Sequence, residues 1–402
     1  MNILLHRIHS SLHQSKEVKA FNDDFINELS DLLSEEEIFL SEDADIDDMD
    51  LIFVESGGAE EVFLKMESKI KSPFILLSSG KNNSLPACME IKSYAATKNK
   101  DAIIIIGETN EMAEAIKHFS HVYKAKQEIS GSRLGVIGKP SDWLIYSRVD
   151  YSEVDKKFGI SLIDVSMDEF KKEIDKKSYG FVRHLAELKE KWKKPEVLEG
   201  ALHIYGALKR IITRYQLDGL TVRCFDLLKA YKNTACLALA LLNEEGYVAT
   251  CEGDIPTMLT MFMLNKLNDD SSFQVNPSMI DFDKREILFA HCTVPLDMVG
   301  EFTLDTHFES GLGIGIKGEL SLGQCTLYKI GADLKEYVAI EGNIKSNESL
   351  KEYCRTQVKI ELEPRALMEF MSTNVGNHYA ISYKDDPGTF MALMDLYNRE
   401  KK

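Results

Sequence analysis

The 402-residue chain carries 65 acidic against 48 basic residues, a net charge of −17, and is 44% hydrophobic. Its length exceeds what one hydrophobic core serves, roughly 250–300 residues at most, so two or three domains are expected and intrinsic disorder is excluded. The acidic balance, with no basic stripe to offset it, excludes a nucleic-acid partner, and no apolar run approaches the roughly 20 residues of a membrane span.

Short apolar runs at Ile3–Leu5, Leu51–Val54, Phe74–Leu77 and Ile103–Ile106, separated by helix-length spacers, predict a parallel sheet covered on both faces over residues 1–130. Ser56-Gly57-Gly58 and the run from Ser78 to Asn83, which includes Lys81, follow two of these strands, at the edge where open α/β sheets bind ligands. His6, His9 and His13 fall in the connection after the first strand, where exposure or placement at the binding edge outweighs a metal site.

The pattern restarts with LGVIG at 134–138 and Ile160–Val165, continues through helices near 180–192 and 201–216, and adds strands at Leu220–Phe225 and Tyr247–Cys251 around a helix near 234–244. Residues 131–299 therefore read as a second doubly wound α/β domain. From Phe302 the pattern changes to alternation and glycine, with strands at Tyr337–Ile344, Gln357–Leu362 and Tyr379–Tyr383 and a closing helix near 387–399. Closely spaced strands without long helices predict a small antiparallel β-barrel-like domain over 300–402.

Seven scattered cysteines form no CxxC pair, and the start MNILLHRIHS lacks the basic region and apolar core of a signal peptide. Free thiols in the cytoplasm are the expectation.

The acidic groups at strand ends carry the most chemistry. Asp226 follows the strand TVRCF, and Glu252 and Asp254 follow YVATC, so both loops open on one edge of a parallel sheet. Converging carboxylates suit divalent cations such as Mn²⁺ or Mg²⁺. The same residues also fit helix N-caps, Asp254 above all, since it precedes the apolar helix IPTMLTMFML. His291, His307 and His378 each lie beside an apolar run or a glycine, where a histidine is more often a hydrogen-bonded core residue than a ligand. The glycines at 311–318 lack the spacing of a dinucleotide fingerprint, and Gly135-x-x-Gly138-Lys139 is no phosphate loop. Lys139 and Trp143 could still line a polar pocket.

The pieces CFDLL at 224–228, GYVATCEGDIPTMLTM at 246–261, ILFAHCTVPL at 287–296, THFESGLGIGIKGEL at 306–320, CRTQV at 354–358 and GNHY at 376–379 resemble the carboxyl-terminal half of the L-fucose and L-arabinose isomerase superfamily. The resemblance implies a metal-dependent aldose–ketose isomerase working through an enediolate, with two carboxylates and one histidine on Mn²⁺ or a similar cation such as Co²⁺. Those positions fall on Asp226, Glu252 and His378, with Asp254 as the rival second carboxylate. The carboxylates would also move the proton. A further family histidine falls on Pro277-Ser278-Met279 and is absent, which leaves His307 as a substitute. The resemblance also implies a homo-oligomer, trimeric or hexameric, whose active sites are completed by a neighbour. Two other functions stay open: isomerisation of an anionic sugar, sulfonated or phosphorylated, with Lys81, Lys139 or Arg355 receiving the anion, and non-catalytic sugar binding.

Overall fold

The computed structural model describes residues 1–11, 15–42, 48–383 and 387–399, so His13 lies outside the described residues. Two compact units divide the chain, Met1–Lys124 with Asn398 and Arg399, and Ala125–Tyr397.

The first unit holds a parallel sheet of β1 (Asn2–Ile8), β2 (Phe39–Ser41), β3 (Met49–Val54), β4 (Phe74–Ser78) and β5 (Ala102–Ile106), in the order β2-β1-β3-β4-β5. β3 and β4 are buried at every residue, which accounts for their largely apolar sequence, Asp50 and Ser78 apart: a strand covered on both faces has no solvent side to alternate toward. The two polar loops touch, since Gly57 N–H donates to the Asn82 carbonyl at 2.8 Å. A Cβ on Gly57 would stand 2.9 Å from that of Asn83. His6 pairs with Asp50 at 2.6 Å, His9 lies 3.5 Å from Glu55, and the Lys81 ammonium stands 4.0 Å over the Phe21 ring.

The second unit begins with a parallel sheet of β6 (Arg133–Ile137), β7 (Ser161–Val165), β8 (Gly219–Val222) and β9 (Val248–Cys251), in the order β7-β6-β8-β9. The expected strand Leu220–Phe225 stops at Val222. Residues Phe225–Tyr231 are helical, and Asp226 sits in their first turn, where a carboxylate suits the positive end of the peptide dipoles. Helix Pro195–Tyr215 opens with proline and buries one stripe, including Leu198, Leu202, Tyr205, Leu208 and Ile212.

A closed antiparallel barrel follows, built from β10 (Phe273–Asp281), β11 (Glu286–His291), β14 (Gly323–Ile330), β15 (Tyr337–Asn347), β16 (Thr356–Glu361) and β17 (Tyr379–Ser382), in the order β10-β11-β16-β15-β14-β17. β12 (Val299–Asp305) and β13 (Gly315–Leu320) pair as a separate ribbon. The α/β class with a terminal antiparallel barrel is thus observed, and the barrel takes in β10 and β11, which precede residue 300. Helix Ile255–Asn268 is apolar on nearly every side because it lies between two layers, packing on β8 and β9 and also on β10, β14 and β17. Its N-terminus, Asp254, therefore stands where the parallel sheet meets the barrel. Among the described residues no helix is long and apolar enough to cross a membrane.

One ion cluster ties helix Met167–Ile174 to helix Pro195–Tyr215. Glu173, buried, accepts from Arg210 Nε at 2.9 Å, from Lys176 Nζ at 2.9 Å and from Arg214. Burial would raise its pKa, but the three cations outweigh that and hold it at about 2. A depressed folded-state pKa stabilises above the unfolded value near 4.5 and ceases to do so as pH falls through the folded value. Glu173→Gln is therefore expected to lose about 1.5–3 kcal/mol near neutral pH, the range for hydrogen bonds to charged groups. In thermal melts at several pH values, the gap from wild type should be constant above about pH 5 and close toward pH 2. A gap that is the same at pH 3 and pH 7 would contradict the cluster's role.

Candidate active site

The backbone turn after β9 aims the first functional group. Glu252 (φ +65°) and Gly253 (φ +71°) are both left-handed, a conformation that costs a non-glycine residue on the order of 1–3 kcal/mol. Gly253 admits no side chain, since a Cβ there would stand 2.4 Å from the Lys139 carbonyl. The turn is fixed by Ser141 N–H donating to the Glu252 carbonyl at 2.9 Å and Gly253 N–H to Val222 at 3.1 Å. The Glu252 side chain is thereby held inward, and Trp143 Nε1–H donates to its Oε2 at 2.6 Å.

Barrel register brings in two histidines. β10 pairs with β11 through Asn276↔Ala290 and with β17 through Val275↔Tyr379, so His291, ending β11, and His378, preceding β17, flank one end of the same strand. Their rings meet edge to face at 5.7 Å. Ligand atoms of Glu252, His291 and His378 all lie within 4.8 Å of one another.

The wiring of each group differs. His378 is completely buried, its Nδ1 donates to Asp254 Oδ2 at 2.8 Å, and its Nε2 lies 3.6 Å from Glu252 Oε1 with no hydrogen-bond partner among the described residues. Burial would lower its pKa, but the two carboxylates outweigh burial and raise it to about 9. For His291, burial and the neighbouring charge of His378 push the pKa down to about 3, so it is a neutral imidazole, with Nδ1 2.9 Å from Thr293 Oγ1. Glu252 is held at about 2: burial opposes ionisation, while the charge of His378 at 3.6 Å and the hydrogen bond from Trp143 favour it.

Asp254 caps helix Ile255–Asn268 by accepting from Thr257 N–H at 2.9 Å, and it also receives Lys329, His378 and Ser147. Asp226 is outside the group of three; its side chain is 40% exposed and accepts from Arg223 Nε at 3.3 Å. His307 is buried, with Nδ1 3.1 Å from Ser310 Oγ, and Phe225 stands edge-on to it at 5.4 Å and to Trp143 at 4.9 Å. Trp143 is 53% exposed and Lys139 is exposed. Arg355 is 19% exposed, donates Nε to the Thr306 carbonyl at 2.7 Å and lies 3.4 Å from Asp305. Lys81 belongs to the other unit. Two residues join the site without a role assigned from sequence. His291 was visible as one strand-end histidine among three. Lys329 shows only as a cation in the apolar strand CTLYKI.

No protein-family model matches the chain. It is similar to the sulfoquinovose isomerase of Priestia megaterium (strain ATCC 12872 / QMB1551), 23% identical over 316 residues that cover 74% of this chain and 70% of the relative. The sulfoquinovose isomerase of Alkalicoccus urumqiensis is 22% identical over 326 residues, covering 73% and 70%. That of Clostridium sp. (strain MSTE9) is 21% identical over 217 residues, covering 50% and 47%. The chain is an aldose–ketose isomerase. In this isomerase Glu252, His291 and His378 converge in space.

Proposed function

We propose that the chain isomerises a sulfonated aldose to its ketose at a divalent-cation centre held by Glu252, His291 and His378. The observation that carries the reading is the Nε2 of His378: fully buried, unpartnered among the described residues and aimed at Glu252, while Nδ1 is fixed by Asp254. A buried polar atom with no partner is costly, and a carboxylate behind the other ring nitrogen is the usual arrangement for a metal-binding histidine. The donors fit such a group. One carboxylate with two imidazoles suits Mn²⁺ or Co²⁺ better than Mg²⁺, which prefers an all-oxygen shell.

When bound, the cation supplies Lewis-acid stabilisation of the negative charge that develops on the sugar oxygens as a carbon-bound proton leaves. The protein supplies the rest. Trp143 fixes one oxygen of Glu252 and leaves half of its own surface exposed to face a sugar. Asp226 is assigned the proton transfer: it follows β8, the neighbour of β9, and the adjacent Phe225 packs on both Trp143 and His307. A positioned carboxylate contributes typically about 10²–10⁴-fold in such a step.

The relatives' names point to the sulfonated sugar, and Arg355 is the cation we assign to its anionic group. Its guanidinium lies close enough to help depress the pKa of His307, whose largest cause is burial. The test is turnover on a panel of sulfonated, phosphorylated and neutral aldoses, metal-stripped and with Mn²⁺ restored. Conversion of the sulfonated sugar only with Mn²⁺ is expected. Arg355→Ala should raise KM for that sugar about 10–100-fold, the equivalent of one charge-assisted hydrogen bond, and leave a neutral aldose unaffected. Equal turnover of neutral and sulfonated sugars by wild type would overturn the substrate assignment. Full activity after metal removal would overturn the centre.

A further inference from the structure

We propose that Lys329 is a positioning residue for the metal centre, acting through Asp254 to fix the ring of His378; the inference rests on the cation site of the proposed function. Lys329 lies on barrel strand β14, where Tyr328 pairs with Ala380 of β17, two residues beyond His378. Its side chain is 0% exposed, as is that of Asp254. The ammonium donates to Thr257 Oγ1 at 2.5 Å and lies 3.3 and 3.4 Å from the two oxygens of Asp254.

Helix capping alone requires none of this, since one oxygen of Asp254 already accepts from Thr257 N–H at 2.9 Å. Stability is a weak reason as well: a buried ion pair generally contributes no more than well-packed apolar residues of the same volume. What the lysine adds is a complete set of donors. The backbone of Thr257 and Lys329 serve Oδ1, while His378 Nδ1 at 2.8 Å, Ser147 Oγ at 3.3 Å and Lys329 serve Oδ2. A carboxylate has about four acceptor positions. With these filled, the plane of Asp254 cannot turn and no oxygen is left for a cation, which separates it from Glu252. The imidazole it holds then presents Nε2 in one direction only, toward Glu252. The relay Lys329–Asp254–His378 thus runs from the barrel through the helix cap to the ligand atom.

The experiment is a double-mutant cycle read by calorimetric titration of metal-stripped protein with Mn²⁺, with circular dichroism and thermal melts alongside. Lys329→Met should bind Mn²⁺ about 10–100-fold more weakly, the usual effect of losing a residue that orients a ligand. Lys329→Arg should recover part of the loss. Because Lys329→Met removes the buried ammonium facing the Asp254 carboxylate and can fail to fold, the variant with Asp254→Asn and Lys329→Met together removes both charges. Its Mn²⁺ affinity should equal that of Asp254→Asn alone, because the lysine acts only through the aspartate. A folded Lys329→Met variant with wild-type affinity, or losses that multiply in the double variant, overturns the inference. Wild-type protein that takes up no Mn²⁺ overturns the metal centre and this inference together, whereas wild-type uptake with an unchanged Lys329→Met variant overturns this inference alone.

Discussion

Glu252→Gln is expected to lose at least several hundredfold of isomerase turnover and most of its Mn²⁺ affinity while its fold stays intact. The substitution is nearly isosteric, so Trp143 Nε1 still finds an acceptor where Oε2 stood and the left-handed turn at residues 252 and 253 is unchanged. What disappears is the negative charge facing His378 and His291. Asp226→Asn is the internal comparison. It is expected to lose turnover by about 10²–10⁴-fold, the contribution of a general base, and to keep Mn²⁺ affinity, because Asp226 stands apart from the three converging donors. Turnover and calorimetric Mn²⁺ titration on both variants check the division of labour. If Asp226 only supports its short helix, its loss costs about 0.5–2 kcal/mol of stability and spares the rate. An Asp226→Asn variant that is less stable yet fully active would discard the catalytic assignment of Asp226, and a fully active Glu252→Gln variant would discard the site.

His378→Ala is expected to weaken Mn²⁺ binding by a larger factor than Lys329→Met, since it removes a ligand atom itself. Activity should return in part with excess Mn²⁺, because Glu252 and His291 remain within ligand distance of each other. The fold should survive. Asp254 loses one donor but keeps Thr257 N–H and Lys329, so no buried charge is left without a partner. Turnover measured against Mn²⁺ concentration for wild type and variant provides the check: a rightward shift with recovery supports a ligand role. An activity loss that no concentration of Mn²⁺ relieves, in a protein that binds Mn²⁺ like wild type, would remove His378 from the ligand set.

Local pattern alone was enough for the layers. The apolar runs of β3, β4 and β5 and the closing helix at Pro387–Arg399 fall where the hydrophobic periodicity places them, because each is decided by neighbours in sequence. The switch to glycine and alternation after residue 302 likewise announced antiparallel strands. It could not announce which strands close the barrel. β10 contains Pro277 and a register shift beside it, which breaks the alternation a strand signal needs, yet it is the strand that joins β11 to β17.

Of the site, the sequence by itself made legible that Glu252 and Asp254 follow the end of an apolar strand, since a short loop after such a strand is a local feature; His378 entered only through the family resemblance. The sequence left Asp254 divided between cap and ligand. The capping contact was readable, but the three further donors arrive from Ser147, Lys329 and His378, up to 124 residues away. Only the tertiary structure decided that His291 joins Glu252 and His378 while Asp226 does not. The physical reason is that ligand distance depends on barrel register and on a left-handed turn held by Ser141 and Val222, and neither leaves a periodic trace in the chain.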